Sequence, residues 1–400
     1  MSINIKNYQR PLPRIIQHKT DKCLDNSELS NVAILVEGLA GSTTASAIFE
    51  LAVANEFARQ GYKVKVIVLD TSFFDRSVQT DSIAKRKRDS SSHCSFHAAY
   101  AREGVEVVYC REASLKGRIH EGVSAAAEFH AGLVLDISLD GTVASAILQK
   151  QVPVIHITLS GYSSGAVFDA YIAKSRELCR EENKIFHSID ESRIYEAPIS
   201  VPYENKPRKI YYREELGYKE SDFILVTVGH RLKYEMDVPF LETIYGFLAE
   251  QPSIKWIIVG NDLGEDIYRI AGEMIGNGQI RLWGIEDDLV ALYGICDVYL
   301  NPNRAGGTGS IKLAMEMEIP IAVTDFISDT VSLIGKENCC GSSYQDLVEY
   351  IDKLRHDPGF YADEGEKAYQ TLQREDLTLA HYVNTIVQAY KNVKREKNSD

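Results

Sequence analysis

LNPNRAGGTGSIKLAMEMEIPIAVTD, residues 300–325, is the stretch that decides the fold. The apolar run that leads into it, Val298-Tyr299-Leu300, reads as a buried parallel strand. A polar loop with glycines at 306, 307 and 309 follows, a helix is expected to begin near Ser310, and a second strand is expected over 319–323. Glycine lets backbone N–H groups approach a ligand with no Cβ in the way. A helix start adds partial positive charge, so the unit suits an anion. An ordinary tight strand-to-helix turn has the same outline, and this stretch alone does not separate the two.

Working outward, the same alternation fills the second half of the chain. Strands are expected over 223–228, 254–259 and 280–282, and helices over 239–250, 265–275 and 286–295. Glycine-bearing turns, Gly229-His230-Arg231 and Gly260-Asn261-Asp262, close the first two of these strands. Helices over 344–355, 364–372 and 380–391 end the chain, with a charged tail from Lys391 expected to fray. The first half repeats the architecture without repeating the sequence. Strands are expected over 31–36, 63–69, 105–109, 133–137 and 152–157, with helices over 44–60, 94–102, 119–131 and 142–149. The loop Gly38-Leu39-Ala40-Gly41-Ser42 follows the first strand. Between the halves, Pro198, Pro202 and Pro207 crowd into a basic stretch that reads as a linker.

The chain therefore reads as α/β, with two Rossmann-like doubly wound parallel-sheet domains. Its expected parts are a lead-in over 1–30, a first domain over 31–200, a linker over 201–222, a second domain over 223–375, and a terminal helix and tail over 376–400. In such sheets ligands sit at the carboxyl ends of the strands. The segment 71–92, with Lys85-Arg86-Lys87-Arg88 followed by three serines, reads as a solvated loop or as one that meets an acceptor or an anionic membrane.

Composition limits the function classes. The 400 residues are 44% hydrophobic and 25% charged, ordinary for a globular protein of two domains. A formal net charge of −13 argues against a general nucleic-acid coat, which needs clustered Lys and Arg. The seven cysteines are scattered, odd in number and without CxxC spacing, which predicts reduced thiols in a cytoplasmic protein and no zinc site. The apolar runs are strand-length, so any membrane contact is expected to be peripheral, at the inner face.

Several stretches, in order, resemble the nucleotide-sugar glycosyltransferases of the GT-B fold, with a family 1/4-like donor domain. They are FILVTVGHRL at 223–232, WIIVGND at 256–262, RLWGIEDDLVALYGICDVYLNP at 281–302, the glycine loop, and IPIAVTD at 319–325. Bacterial enzymes with an NP-x-R-x-GG-type loop look closest. In the first half, HITLSGYSSGAVFDAY at 156–171 resembles a segment of transferases that glycosylate proteins. Many retaining members carry two Glu in the loop and helix; anchored on Ile319-Pro320-Ile321, those positions hold Ala305 and Leu313. The acidic pair is absent.

The resemblance implies two domains facing a cleft, in a hexosyltransferase-type enzyme that moves a sugar from a UDP- or GDP-linked donor to a glycan or protein acceptor, as in polysaccharide biosynthesis. The nucleotide sugar is a co-substrate, and no cofactor or metal is expected. The departing nucleoside diphosphate needs preorganised donors. Gly229, Arg231 and Lys233 lie after the first strand of the donor domain, and Gly306, Gly307, Thr308, Gly309 and Ser310 could supply N–H and hydroxyl groups. His230 either meets base or ribose or lies on the surface. Arg304 either faces the ligand or stands in solvent. Trp283 to Glu286, including Gly284, would lie near the base. Gly41 would close over the phosphates from the other domain. A general base, if one is used, would come from Asp140 or Asp136. His156, within a strand, reads as that base or as a satisfied core histidine. A catalytically inactive partner subunit, or a nucleotide-sugar epimerase, would keep the same architecture.

Overall fold

The computed structural model describes residues 29–39, 45–70, 104–138, 141–158, 168–180, 190–198, 206–304 and 306–398. The expectations for the lead-in, for Gly41, for 71–92, for the helix over 94–102 and for Asp140 lie outside the described residues.

Two compact units emerge: 1–202 together with 378–400, and 203–377. In the first, β1 (Asn31–Val36), α1 (Ala45–Arg59), β2 (Lys63–Val68), β3 (Val105–Tyr109), α2 (Leu115–Glu128), β4 (Leu133–Ser138), α3 (Val143–Leu148), β5 (Val154–Thr158), β6 (Ala170–Ala173) and β7 (Ile194–Glu196) follow one another. The seven strands pair in parallel in the order β3-β2-β1-β4-β5-β6-β7. Both faces are covered, so β1 is apolar from Val32 to Val36. Val32, Ile34 and Val36 join one core with α1, while Ala33 and Leu35 join the other with α2 and α3.

The second unit runs β8 (Phe223–Val228), α4 (Leu232–Glu235), α5 (Val238–Glu250), β9 (Ile254–Val259), α6 (Asp266–Gly276), β10 (Ile280–Gly284), α7 (Leu289–Tyr293), β11 (Val298–Leu300), α8 (Thr308–Glu316), β12 (Ile321–Ala322), α9 (Asp329–Ile334), α10 (Tyr344–His356) and α11 (Pro358–Thr371). Its strands are again parallel, in the order β10-β9-β8-β11-β12. The order reverses at β8/β11, as it does at β1/β4 in the first sheet. Crevices for ligands open at such points, beyond the strands' carboxyl ends.

The chain ends in α12 (Leu379–Lys397), which returns to the first unit and sets Tyr382, Val383, Ile386, Ala389, Tyr390 and Val393 into its core. The expected fraying from Lys391 does not occur: the helix runs to Lys397, whose ammonium bonds Asp169 and the Gln149 carbonyl. Part of the expected linker also belongs to a core. Arg213 grips Asp297 and the Ile295 carbonyl, and Tyr211 stacks edge-on against Trp283. The short strands β6 and β7 were not expected.

Candidate functional site

The strand end of β8 and the loop after β11 meet across the second unit's reversal point, and a buried arginine joins them. Arg304 donates from Nε to Asn301 Oδ1 (2.8 Å), from Nη1 to the Val228 carbonyl (2.8 Å) and from Nη2 to the Tyr299 hydroxyl (2.8 Å). Nη1 also lies 3.3 Å from Glu235 Oε2. Burial works against its charge, but Tyr299 and Glu235 more than offset that, and its pKa is raised. Arg304 was expected to face a ligand or stand in solvent. Its guanidinium is instead enclosed and serves as an internal brace.

Two glycines make room for it. A Cβ on Gly229 would come within 2.6 Å of Arg304 Nη1, and one on Gly307 within 2.5 Å of Nη2. Gly307 also has φ +102°, and it is the N-cap of α8. The helix thus begins at Thr308, two residues earlier than expected, and no side chain caps it. Its first N–H groups lack helical acceptors by geometry, and the helix dipole puts partial positive charge there. The Ser310 hydroxyl was expected to serve a ligand. It donates to the Gly307 carbonyl (2.9 Å) and lies 2.8 Å from the Tyr299 hydroxyl, so it holds the loop instead. Thr308 is buried, and Gly309 lies in the same first turn.

The expected cation pair divides. Arg231 turns toward the glycine loop, its Nη2 lying 2.8 Å from where a Gly306 Cβ would stand. Lys233 turns to the loop after β9: its amide donates to the Asp262 carbonyl (3.1 Å), its ammonium pairs with the Asp262 carboxylate, and that bond raises its pKa. His230 is exposed beside them. Glu235, which sequence reasoning missed, accepts from Arg231 Nε (3.1 Å) while its other oxygen meets Arg304. Its signal was the i,i+4 spacing from Arg231.

Gly284, at φ +82°, ends β10 with a register shift and accepts the Gly260 amide at 2.8 Å. Trp283 donates to Glu286 (3.0 Å). Burial would raise the Glu286 carboxyl, but bonds from Lys209, Tyr211, the Asp288 amide and Trp283 hold it down at about 2. This corner ties 209–211 to β10. Leu313, where the resemblance implies an acid, packs into the core.

In the first unit, Asp136 at the end of β4 is fully buried. It accepts from Ser138 Oγ (2.5 Å), the Thr142 amide (2.8 Å) and hydroxyl (2.7 Å), and lies 3.1 Å from His156 Nδ1. Burial pushes its carboxyl up, yet these partners, His156 foremost, hold it below the usual range. His156 stacks on Phe168 with ring centroids 5.0 Å apart, and its Nε2 has no hydrogen-bond partner among the described residues. The structure thus pairs two residues that the sequence offered as separate candidates. Among the described residues, no group of three or more His, Cys, Asp and Glu is placed to hold a metal, and no helix is long and apolar enough to cross a membrane.

Two parallel doubly wound units are the parts of the GT-B fold, and solved structures match them. A Thermobaculum terrenum O-GlcNAc transferase mutant matches with TM-score 0.63 at 15% identity, over 94% of this chain and 69% of that one. Sucrose-phosphate synthase from Thermosynechococcus elongatus matches with TM-score 0.61 at 14% identity, over 92% of this chain and 100% of that one. TarM from S. aureus, in complex with fondaparinux, alpha-GlcNAc-glycerol and UDP, gives TM-score 0.60 at 9% identity, over 90% and 100%. Within that class, residues 209–371 match the family model of glycosyl transferases group 1, a stretch inside the second unit. No curated protein sequence matches the chain. The resemblance to GT-B glycosyltransferases holds: the second unit matches the family model, and both units share the fold of these structures.

Proposed function

We propose that the protein is a cytoplasmic glycosyltransferase that takes a sugar from a nucleoside-diphosphate donor, UDP- or GDP-linked, and passes it to a glycan or protein acceptor. The observation that carries this reading is the uncapped start of α8 behind Gly306-Gly307, with the Arg231 guanidinium beside it. Backbone N–H groups, a helix dipole and one arginine converge where a diphosphate would be held, and the same groups would stabilise the charge that grows on it as the glycosidic bond breaks. The TarM structure is a complex with UDP, which agrees with such a donor.

The test is a thermal-shift and calorimetric panel of nucleoside diphosphates and nucleotide sugars on wild type and Arg231→Ala. The expected result is stabilisation of the wild type by one nucleotide class, with affinity lowered roughly 10- to 100-fold in the variant. Absence of any binding by the wild type would overturn the reading. Turnover of the bound donor without any acceptor, to an epimerised sugar, would replace transfer with epimerisation.

A further inference from the structure

We propose that Glu235 is a positioning residue that aims Arg231 at the glycine loop, and that the buried Arg304 is what allows a carboxylate to do so beside an anion site. The inference rests on the donor reading above and extends it to two side chains that need not touch the ligand.

Glu235 divides its oxygens between two guanidinium groups. Oε1 takes Arg231, at 3.1 Å from Nε and 3.0 Å from Nη2, and Oε2 takes Arg304 Nη1 at 3.3 Å. Side-chain exposure falls along the relay, from 54% for Arg231 to 12% for Glu235 and 2% for Arg304. The inner end is rigid. Arg304 is held by Asn301, the Val228 carbonyl and Tyr299, and is packed against Gly229 and Gly307. The outer end would otherwise be a long side chain with many rotamers to lose on meeting a ligand. By gripping Nε and Nη2, Glu235 fixes the guanidinium plane over Gly306 before the ligand arrives.

A carboxylate in this position would by itself repel a phosphate. The three formal charges, two positive and one negative, leave a single positive charge. Arg304 therefore offsets Glu235, and Arg231 keeps its full attraction for an anion. Because Arg304 is buried, its field is screened less than that of a surface cation.

The experiment measures affinity for UDP, GDP and inorganic pyrophosphate by calorimetry. It uses wild type, Glu235→Gln, Arg231→Ala and the double variant, with melting temperatures alongside. Gln keeps the size of Glu and one acceptor oxygen, and α4 is short and half-exposed, so the fold should persist. If Glu235 positions Arg231, Glu235→Gln weakens binding about tenfold when Arg231 is present, and does not weaken it in the Arg231→Ala background, where loss of a negative charge can only help an anion. Equal weakening in both backgrounds would show a merely structural role. Tightening in both would show that Glu235 is only a repelling neighbour. Either result overturns the proposal while leaving the donor reading intact. A wild type that binds none of the three probes overturns both.

Discussion

The two sheets reverse strand order at equivalent places, β1/β4 and β8/β11, and fill those places differently. Beside the first reversal, Asp136 is enclosed by Ser138, Thr142 and His156, and every described member of the cluster is buried. Beside the second, a charged relay rises from buried Arg304 to exposed Arg231, and glycines take the positions where side chains would close it over. The first arrangement turns its polar groups on one another, with His156 Nε2 left without a partner among the described residues. The second leaves an exposed cation, Arg231, beside an uncapped helix start. A strand-end position is thus permission for a site, and the side chains there decide whether it is open or closed.

Three substitutions would break or sharpen this contrast. The largest effect is expected from Asp136→Ala, which strips partners from His156, Ser138 and the Thr142 amide, at a cost of about 3–5 kcal/mol in stability. The Asp136 carboxyl is held below its ordinary value in the folded protein. Its stabilising contribution is therefore fully present above the unfolded aspartate range and lost as pH falls through the folded value. Urea midpoints of wild type and variant should differ most near neutrality and converge in strong acid. A small, pH-independent difference would mean the cluster is not the structural network described.

Gly307→Ala comes next. It forces a side chain into a left-handed backbone and against Arg304, for an expected loss of about 1–3 kcal/mol and of nucleotide affinity together. A stable variant that binds normally would show that the loop tolerates a shift of Arg304 and that the relay is not rigid. The smallest effect belongs to Lys233→Ala. Its solvent-screened pair with Asp262 should leave the melting temperature nearly unchanged, with nucleotide affinity changed by less than about threefold. A loss matching that of Arg231→Ala, read by the same calorimetry, would reunite the two cations that the structure separates.

Much of this was legible in the sequence because most strands are buried on both faces. NVAILV, KVKVIV and FILVTV read as strands without help from their surroundings, and the observed β1, β2 and β8 follow them. AYIA and IYE did not, being only four and three residues long and lacking a flanking turn signal strong enough to mark them. The helix expected over 119–131 begins instead at Leu115, because Ser114 caps it through the Gly117 amide, a local bond that hydrophobic periodicity does not see. At the site, the glycines and Arg231 were readable from their place after β8 and β11. Arg304 was not, because an arginine in a polar loop gives no sign of burial. Only the approach of Val228, Tyr299 and Asn301 in space creates its enclosure. The pairing of Asp136 with His156 was likewise hidden until register set β4 against β5 residue by residue.

The return of α12 to the first unit has a consequence for synthesis. A ribosome that has finished β7 has not yet made the helix that covers one face of that sheet, and the whole of the second unit must be translated first. At about 5–20 residues per second the nascent first unit waits for some tens of seconds with the surface for Tyr382, Val383, Ile386 and Tyr390 uncovered. The second unit is contiguous and can close as soon as it emerges, so the half of the molecule that is made first is the half that is completed last.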